Sequence, residues 1–238
     1  MSTEQVTVVL PTYNEIENLP EIASAIRDHG YALLIVDDNS PDGTGALADE
    51  LARADERVSV LHRKEKQGLG PAYAAGFDEA LSAGAVVVVE MDADFSHDPK
   101  DLPRLIAAVE DGADLAIGSR YVPGGATPDW PPVRRFISRG GNLYARIMLG
   151  IPTRDATAGF RAFSAEALGR LPYASAEASG YGFQVEMAWR AHQEGLDVVE
   201  VPIVFRDRTR GTSKMGLKIV VEAMWLVTLW GLGRLLGR

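Results

Sequence analysis

Residues Val86–Asp98 read V-V-V-V-E-M-D-A-D-F-S-H-D, so four valines lead directly into a cluster of acidic and polar residues. A continuous run of β-branched residues is typical of a strand covered on both faces, as in parallel α/β sheets. Ligands of such sheets bind at the carboxyl ends of the strands. The stretch therefore predicts a buried central strand that ends at a binding site.

Two carboxylates in this stretch are spaced to act together. Asp92 and Asp94 are two residues apart, so in an extended chain they lean to the same side. That arrangement suits a hard divalent cation held beside a phosphate. The alternative is a solvated acidic turn that caps the next helix. Asp98 fits this second role, because Pro99 follows it at the first helical position.

The chain on either side of this strand alternates between apolar runs and helical patterns. The predicted strands are Val6–Leu10, Leu33–Val36, Val58–Leu61, the Val86 run and Leu115–Gly118. The predicted helices are 18–28, 45–54, 68–83 and 102–110. This order predicts the α/β fold class, with a mostly parallel sheet flanked by helices.

The pattern changes after the fifth strand. Val122–Val133 contains four Pro and two Gly, which predicts a long irregular loop. A helix is expected at Arg134–Leu149, which carries four Arg and no acidic residue. Two further strands, Gly159–Ser164 and Val198–Phe205, flank a helix near Phe183–Glu194.

Composition narrows the class of protein. The 238 residues carry a net charge of −9, which argues against nucleic acid as the main partner. Residues 1–110 hold 8 basic and 21 acidic residues, whereas 111–238 hold 16 and 12. The chain contains no Cys, which excludes thiolate metal sites, and its polar start does not resemble a signal peptide. We therefore expect a cytoplasmic protein with an acidic half that suits a metal.

Polar residues at three strand ends are expected to meet at one edge of the sheet. They are Tyr13 with Glu15, Asp37 with Asp38, and Asp92 with Asp94. Because Asp37 and Asp38 are adjacent, only one of them can face a ligand, and the other fits a turn or cap. Tyr13 suits stacking on a base or ribose, and the alternative is a half-buried aromatic at a strand end.

Seven motifs carry a family resemblance. In order they are P-T-Y-N-E, V-D-D-N-S-P-D-G-T, M-D-A-D-F-S-H-D-P, G-S-R-Y-V-P-G-G, I-S-R-G-G-N, T-A-G-F-R and D-R-T-R-G-T-S-K. Together they cover roughly residues 5–216. The sequence resembles the inverting glycosyltransferases of the GT-A fold, and within them the polyprenyl-phosphate (dolichol-phosphate) mannose synthases. The third, fifth and seventh motifs are the most specific.

The resemblance implies roles for particular residues. Donor binding would involve Pro11, Tyr13, Glu15, Val36, Asp38, Asp92, Ala93, Asp94, Arg208 and Lys214. Mg²⁺ or Mn²⁺ would be held by Asp92, Asp94 and Ser96, although the family often has Gln in place of Ser96. The acceptor phosphate would contact Arg120, Arg134 and Ser138. The catalytic set would be Asp94, Arg120, Arg208 and Lys214.

The implied chemistry needs no dedicated base. A phosphate monoester is mostly a dianion at pH 7, so it is already a nucleophile. The protein must then bring two anions together, and Arg clusters with planar fork geometry do this. His97 is the tempting base, but we expect it to stabilise the turn beside Asp98.

The C-terminal segment predicts contact with a membrane. Five basic residues and one acid occur between Arg206 and Lys218, and an apolar helix follows. Its charge-free part, Ala223–Gly233, is too short to span a bilayer, so it is expected to lie in the interface or dock on a membrane protein. The alternatives are a solvated basic face and an ordinary core helix. The expected division is a catalytic domain at 1–215 and a membrane-associating helix at 216–238.

These expectations define a function to test. The resemblance implies transfer of mannose from GDP-mannose to a polyprenyl phosphate at the cytoplasmic membrane face, with inversion. One alternative is a UDP-glucose-dependent enzyme that acts on the same acceptor. Another is a nucleotide-sugar-binding module, without catalysis, that docks on a membrane enzyme.

Overall fold

The computed structural model describes residues 3–178, 180–207 and 217–236. Its centre is a seven-stranded sheet with the spatial order β3-β2-β1-β4-β6-β5-β7. The strands are β1 Val6–Thr12, β2 Ala32–Asp37, β3 Val58–His62, β4 Val87–Glu90, β5 Leu115–Ser119, β6 Arg161–Ser164 and β7 Val198–Pro202. The helices are α1 Leu19–Asp28, α2 Thr44–Ala54, α3 Leu69–Ser82, α4 Leu102–Glu110, α5 Pro132–Leu149, α6 Ala165–Arg170, α7 Tyr181–Gln193 and α8 Leu217–Leu235.

The predicted fold class is confirmed, with one strand reversed. β1 pairs in parallel with β2 and β4, and β5 pairs in parallel with β7. β6 runs antiparallel between β4 and β5, so these two strands do not touch as the chain order would suggest. The insertion places residues 155–160, which precede β6, beside the carboxyl end of β4.

The valine run forms the buried centre of the sheet, as predicted, but starts one residue later. Val87, Val88 and Val89 are buried, whereas Val86 precedes β4 and is 41% exposed. Side chains alternate along a strand, so Val87 and Val89 join the core cluster under α1 and α4, and Val88 joins the cluster under α3 and α7. Helices cover both faces, which explains the continuous apolar run.

Close packing of α3 on the sheet leaves no room for a side chain at one helical position. A Cβ on Gly76 would lie 2.3 Å from Val9 Cγ1 and 3.1 Å from Val36 Cγ2. The glycine therefore lets α3 approach β1 and β2 closely. This approach sets the position of the N-terminus of α3 beside the carboxyl ends of these strands.

A third apolar cluster joins α8 to the rest of the fold. Val227 on α8 is buried in this cluster, and the rings of Trp230 and Trp189 stack with centroids 5.3 Å apart. Tyr144 and Thr228 share a hydrogen bond of 2.7 Å between their hydroxyl groups. One face of α8 is thus packed on α5 and α7. Within the described residues, no helix is both long enough and apolar enough to cross a membrane.

Candidate active site

A cavity of about 520 Å³ opens at the carboxyl edge of the sheet. It is lined by most of the residues that the sequence assigns to donor binding, namely Pro11, Tyr13, Glu15, Asp38, Asp92, Ala93 and Asp94. Arg120 lines it as well. Three strand ends therefore meet as expected. Val36 is buried in the core, and Ser96, Arg134 and Ser138 lie outside the lining.

The two adjacent aspartates after β2 have separate roles. Asp37 is buried and holds the following turn, because its Oδ2 accepts a hydrogen bond from the backbone N–H of Ser40 at 3.1 Å. Asp38 instead lines the cavity and pairs with Arg63. Burial raises the pKa of Asp38, and the charge of Arg63 opposes that shift. Of the two adjacent aspartates, only Asp38 therefore lies at the cavity.

The segment before α3 also lines the cavity, and the sequence reasoning missed it. Lys66, Gln67 and Gly68 belong to the lining, and the ammonium group of Lys66 lies 3.9 Å from the centroid of the Tyr13 ring. A cation over an aromatic face is a favourable contact. The sequence pattern predicts only a helix at 68–83 in this region.

The D-A-D turn holds its two carboxylates in different ways. Asp94 is buried, and its Oδ1 accepts a hydrogen bond from the backbone N–H of Ser96 at 3.0 Å. Asp92 is more exposed, and its Oδ1 accepts from the Tyr73 hydroxyl at 3.2 Å. Phe95 has a φ of 60°, which is uncommon for a residue other than glycine. This conformation turns the chain immediately after the acidic pair.

His97 stabilises the D-A-D turn from the protein interior. Its imidazole is buried, stacks on Phe160 with centroids 5.0 Å apart, and accepts a hydrogen bond at Nδ1 from the backbone N–H of Asp92 at 3.3 Å. Burial lowers the pKa of His97 to about 4, although Asp94 acts in the opposite direction. A neutral ring that accepts at Nδ1 fits the expected structural role. Asp98 also acts as expected, because it accepts from the backbone N–H of Lys100 at 3.0 Å.

The acidic pair, Asp92 and Asp94, provides oxygen ligands of the kind that bind a divalent cation together with a substrate. Among the described residues, no group of three or more His, Asp or Glu side chains is arranged to hold a metal. Mg²⁺ is commonly held by one or two carboxylates together with substrate phosphates. Asp92 and Asp94, both at the cavity, provide such a pair of oxygen ligands. The residues present therefore fit a cation that binds with a diphosphate.

Arg120 is held rigidly at the far side of the cavity. Its guanidinium donates to both carboxylate oxygens of Asp155, from Nε at 2.7 Å and from Nη2 at 2.6 Å. Nη2 also donates to Thr157 Oγ1 at 2.8 Å. Both members of the Arg120–Asp155 pair are buried. The sequence reasoning did not single out Asp155, because nothing in the pattern shows which acid meets which Arg.

Arg134 and Ser138 lie on the N-terminal half of α5. The Arg134 guanidinium donates to Asp207 at 2.6 Å and stacks over the Trp130 ring, 4.0 Å from its centroid. The Tyr121 hydroxyl donates to Ser138 Oγ at 2.6 Å. These contacts connect α5 to the loop after β5 and to the segment after β7. Arg208 and Lys214, the other predicted phosphate ligands, lie outside the described residues.

A sheet of this topology, with an acidic pair at its carboxyl edge beside a nucleotide-sized cavity, defines the GT-A class of fold. Glucosyl-3-phosphoglycerate synthase from Mycobacterium tuberculosis, solved with Mn²⁺, UDP and product, superimposes with a TM-score of 0.67 at 21% identity over 96% of this chain and 78% of that one. A Pyrobaculum calidifontis mannosyltransferase, solved with GDP-mannose and Mn²⁺, superimposes with a TM-score of 0.60 at 18% identity. The superposition covers 98% of this chain and 64% of that one. These likenesses show a shared fold.

Residues 7–171 match the profile of the glycosyl transferase family 2, and the chain belongs to that family. The polyprenol monophosphomannose synthase of Mycolicibacterium smegmatis is 52% identical over 98% of this chain and 89% of its own length. The undecaprenyl-phosphate mannosyltransferase of Micrococcus luteus is 52% identical over 96% of this chain and 94% of its own length. The dolichol-phosphate mannosyltransferase of Pyrococcus furiosus is 40% identical over 92% of this chain and 61% of that protein.

Proposed function

We propose that this protein transfers a mannosyl group from GDP-mannose to a polyprenyl phosphate. The observation that carries the proposal is the 52% identity, over nearly the whole chain, to two proteins that are both named as mannosyltransferases or mannose synthases of polyprenyl phosphates. The cavity is consistent with this reaction, because carboxylates for a cation and a guanidinium for an anion lie on its lining.

The donor occupies the side of the cavity formed by the ends of β1, β2 and β4. Tyr13 and Asp38 contact the nucleoside, and Asp92 and Asp94 hold the cation that accompanies the diphosphate. When bound, Mg²⁺ or Mn²⁺ neutralises part of the negative charge that develops on the departing GDP. A hydrogen bond orients each carboxylate, from the Tyr73 hydroxyl to Asp92 and from the backbone N–H of Ser96 to Asp94.

The acceptor phosphate approaches from the side of Arg120. One phosphate oxygen forms the new bond to C1 of the sugar, and the bond between C1 and the diphosphate oxygen breaks with its electron pair leaving on GDP. The dianion carries no proton that must be removed, so the step needs no general base. Arg120 and Arg134 reduce the repulsion between the two anions. Attack opposite the leaving group inverts C1.

The outer faces of α5 and α8 provide the contact with the membrane. Large apolar side chains are exposed on both helices, namely Val133, Phe136, Ile137, Leu143 and Ile147 on α5 and Val221, Met224, Trp225, Leu229 and Leu232 on α8. Arg residues on α5 accompany them, a composition typical of interfacial helices. We place this surface on the cytoplasmic leaflet, where the lipid phosphate can reach the cavity. The same surface would serve for docking on a membrane protein.

A donor panel separates this function from its rivals. The purified chain is incubated with Mn²⁺, a short polyprenyl phosphate and radiolabelled GDP-mannose, UDP-glucose or UDP-galactose. The proposal predicts label in the lipid fraction with GDP-mannose. Label from UDP-glucose alone would establish the glucosyltransferase alternative. Nucleotide-sugar binding without transfer, for every donor, would establish a binding module.

A further inference from the structure

Two oppositely charged side chains are buried together beneath the cavity. Glu90 ends β4, and Arg161 begins β6, and the two are directly opposite in the antiparallel register. Both have 0% exposure, and Arg161 is the largest fully buried side chain among the described residues. They share the sheet face of Val88 and Phe163, which belong to the cluster under α3 and α7. Two ionisable side chains therefore stand where an apolar pair would complete the core.

Arg161 connects three backbone carbonyl groups, two of which belong to residues that line the cavity. Its Nε donates to the carbonyl of Ala158 at 2.9 Å, and its Nη2 donates to those of Ala156 at 2.9 Å and Gln184 at 2.8 Å. Thr157, Ala158 and Gln184 line the cavity. One guanidinium thus fixes the loop before β6 to the first turns of α7.

Glu90 lies opposite Arg161 in the sheet, but its carboxylate forms no hydrogen bond with the guanidinium. Neither of its carboxylate oxygens has a hydrogen-bond partner within the described residues. Burial raises the pKa of Glu90, and the charge of Arg161 opposes that shift. A buried pair of ionisable groups is weak evidence for stability, because well-packed apolar residues of similar volume often replace such pairs without loss. Its presence here calls for a role other than folding.

The loop that Arg161 holds also carries the partner of Arg120. Thr157 stands between the two clamped carbonyls, and its hydroxyl accepts a hydrogen bond from Arg120 Nη2 at 2.8 Å. At Gly159 a Cβ would lie 3.6 Å from Gln184 Nε2 and 3.9 Å from Asp92 Oδ2. A shift of this loop would therefore move the anion-binding guanidinium and narrow the space beside the acidic pair.

We propose that Arg161, opposite Glu90 in the sheet, is a positioning residue that sets the geometry between Arg120 and the Asp92–Asp94 pair. Neither side chain lines the cavity, so both act through the loop at 156–159 and through α7. The inference deepens the proposed function and rests on it, since it concerns the same site. A guanidinium is required because its planar fork reaches several acceptors at once.

The decisive variant is the double substitution Glu90→Met with Arg161→Met, which removes both charges and keeps an apolar volume. Melting temperature, the dissociation constant of GDP, kcat and the acceptor KM are measured in whichever sugar transfer the unaltered chain catalyses. We expect a melting temperature near that of the unaltered chain and little change in GDP affinity. We also expect kcat to fall by about 100-fold, the scale of a small misplacement of reacting groups.

Two single variants and a control complete the test. Arg161→Lys keeps the charge but lacks the fork, so it should fold and still lose kcat, while Glu90→Gln should lose stability. The control is Arg104→Met, which breaks an exposed pair with Asp101 on α4 and should leave kcat unchanged. A double variant with kcat close to that of the unaltered chain would overturn the proposal. So would failure of both the double variant and Arg161→Lys to fold, because the pair would then serve folding alone. A donor sugar other than mannose would contradict the proposed function and leave this comparison intact.

Discussion

The carboxylate of Asp155 holds Arg120 at three points: it accepts from Nε at 2.7 Å, from Nη2 at 2.6 Å and from the backbone N–H at 2.9 Å. Asp155 is itself fixed, because Glu200 on β7 accepts hydrogen bonds from the backbone N–H groups of Arg154 at 2.8 Å and Asp155 at 3.0 Å. Arg120 is therefore presented to the cavity in one orientation. A side chain that must bind a phosphate gains from such preorganisation.

Asp155→Asn should weaken acceptor use more than donor binding. The new amide group places donors against the donors of Arg120, and a buried ion pair broken on one side costs roughly 3–5 kcal/mol. We expect a lower melting temperature, a raised KM for polyprenyl phosphate and unchanged affinity for GDP. Steady-state kinetics and calorimetric titration measure these quantities. Unchanged acceptor KM with a folded protein would show that Arg120 does not contact the acceptor.

Asp94→Asn should abolish metal-dependent turnover. Asp94 is the buried carboxylate of the acidic pair, and its loss should reduce the rate at saturating Mn²⁺ by at least about 100-fold, equivalent to roughly 2.7 kcal/mol. GDP affinity in the presence of a chelator should stay the same, while its increase on adding Mn²⁺ should disappear. Asp98→Asn is the matched control, since Asp98 is exposed and only caps the next turn. More than a tenth of the normal rate in the Asp94 variant would remove it from the metal site.

Lowering the pH should reduce the free energy of unfolding, because His97 is buried in its neutral form. An unfolded His has a pKa near 6.5, whereas burial holds the pKa of His97 at about 4. The unfolded chain therefore takes up a proton first, so the contribution of His97 to stability is lost as the pH falls from about 6.5 to 4. The loss is on the order of 3 kcal/mol. Denaturant unfolding of the protein and of His97→Gln measures it.

The variant is compared with the unaltered chain at each pH. The difference in the free energy of unfolding between the two should shrink towards pH 4. Because His97 has no assigned part in proton transfer, the kcat of a folded His97→Gln protein should keep the shape of its pH profile. A difference that stays constant from pH 7 to 4 would mean that the pKa of His97 is the same in the folded and the unfolded chain.

The sequence patterns predicted the parts of the fold that depend on local composition. The valine run forms β4, Asp98 caps the turn that begins at Pro99, and the acidic residues lie at strand ends, as predicted. Burial, capping and strand ends each favour particular residue types, so they can be recognised in a sequence. The order of the strands in the sheet does not favour particular residue types in this way. A strand was predicted at Gly159–Ser164, but its residues show neither its direction nor its neighbours, so the antiparallel insertion of β6 beside Glu90 could not be predicted.

The candidate site, like the fold, was predicted only in part. Residues delivered by the ends of β1, β2 and β4 were predicted, because the carboxyl ends of parallel strands share one edge. Lys66, Asp155, Thr157 and Gln184 were missed as site residues. Their roles depend on which loop packs beside which strand, and Asp155 and Glu200, 45 residues apart, meet only through the paired β5 and β7.

Two sets of substitutions on α8 should separate membrane contact from core packing. Trp225 and Leu229 are exposed on its outer face, whereas Val227 is buried against α5 and α7. Trp225→Ser with Leu229→Ser should leave the melting temperature unchanged and lower binding to anionic vesicles at least tenfold, about 1.4 kcal/mol. Val227→Asp buries a charge and should destabilise the fold itself.

Vesicle co-sedimentation and thermal melting provide both readouts. Undiminished sedimentation of the Trp225 and Leu229 variant would place the membrane contact elsewhere, most directly on the exposed apolar face of α5. The packing of α8 also bears on a truncation after Lys218. That truncation would remove Val227 and Trp230 from the third apolar cluster, so point substitutions on the outer face are the cleaner test.

The anomeric configuration of the product tests the central claim most directly. GDP-α-mannose labelled with ¹³C at C1 is incubated with the protein, Mn²⁺ and a short polyprenyl phosphate, and the one-bond coupling between C1 and H1 of the extracted lipid is measured by NMR. Direct attack by the acceptor phosphate predicts a lipid-linked β-mannosyl phosphate with stoichiometric release of GDP. An α-linked product, or free mannose without a lipid product, would contradict the account.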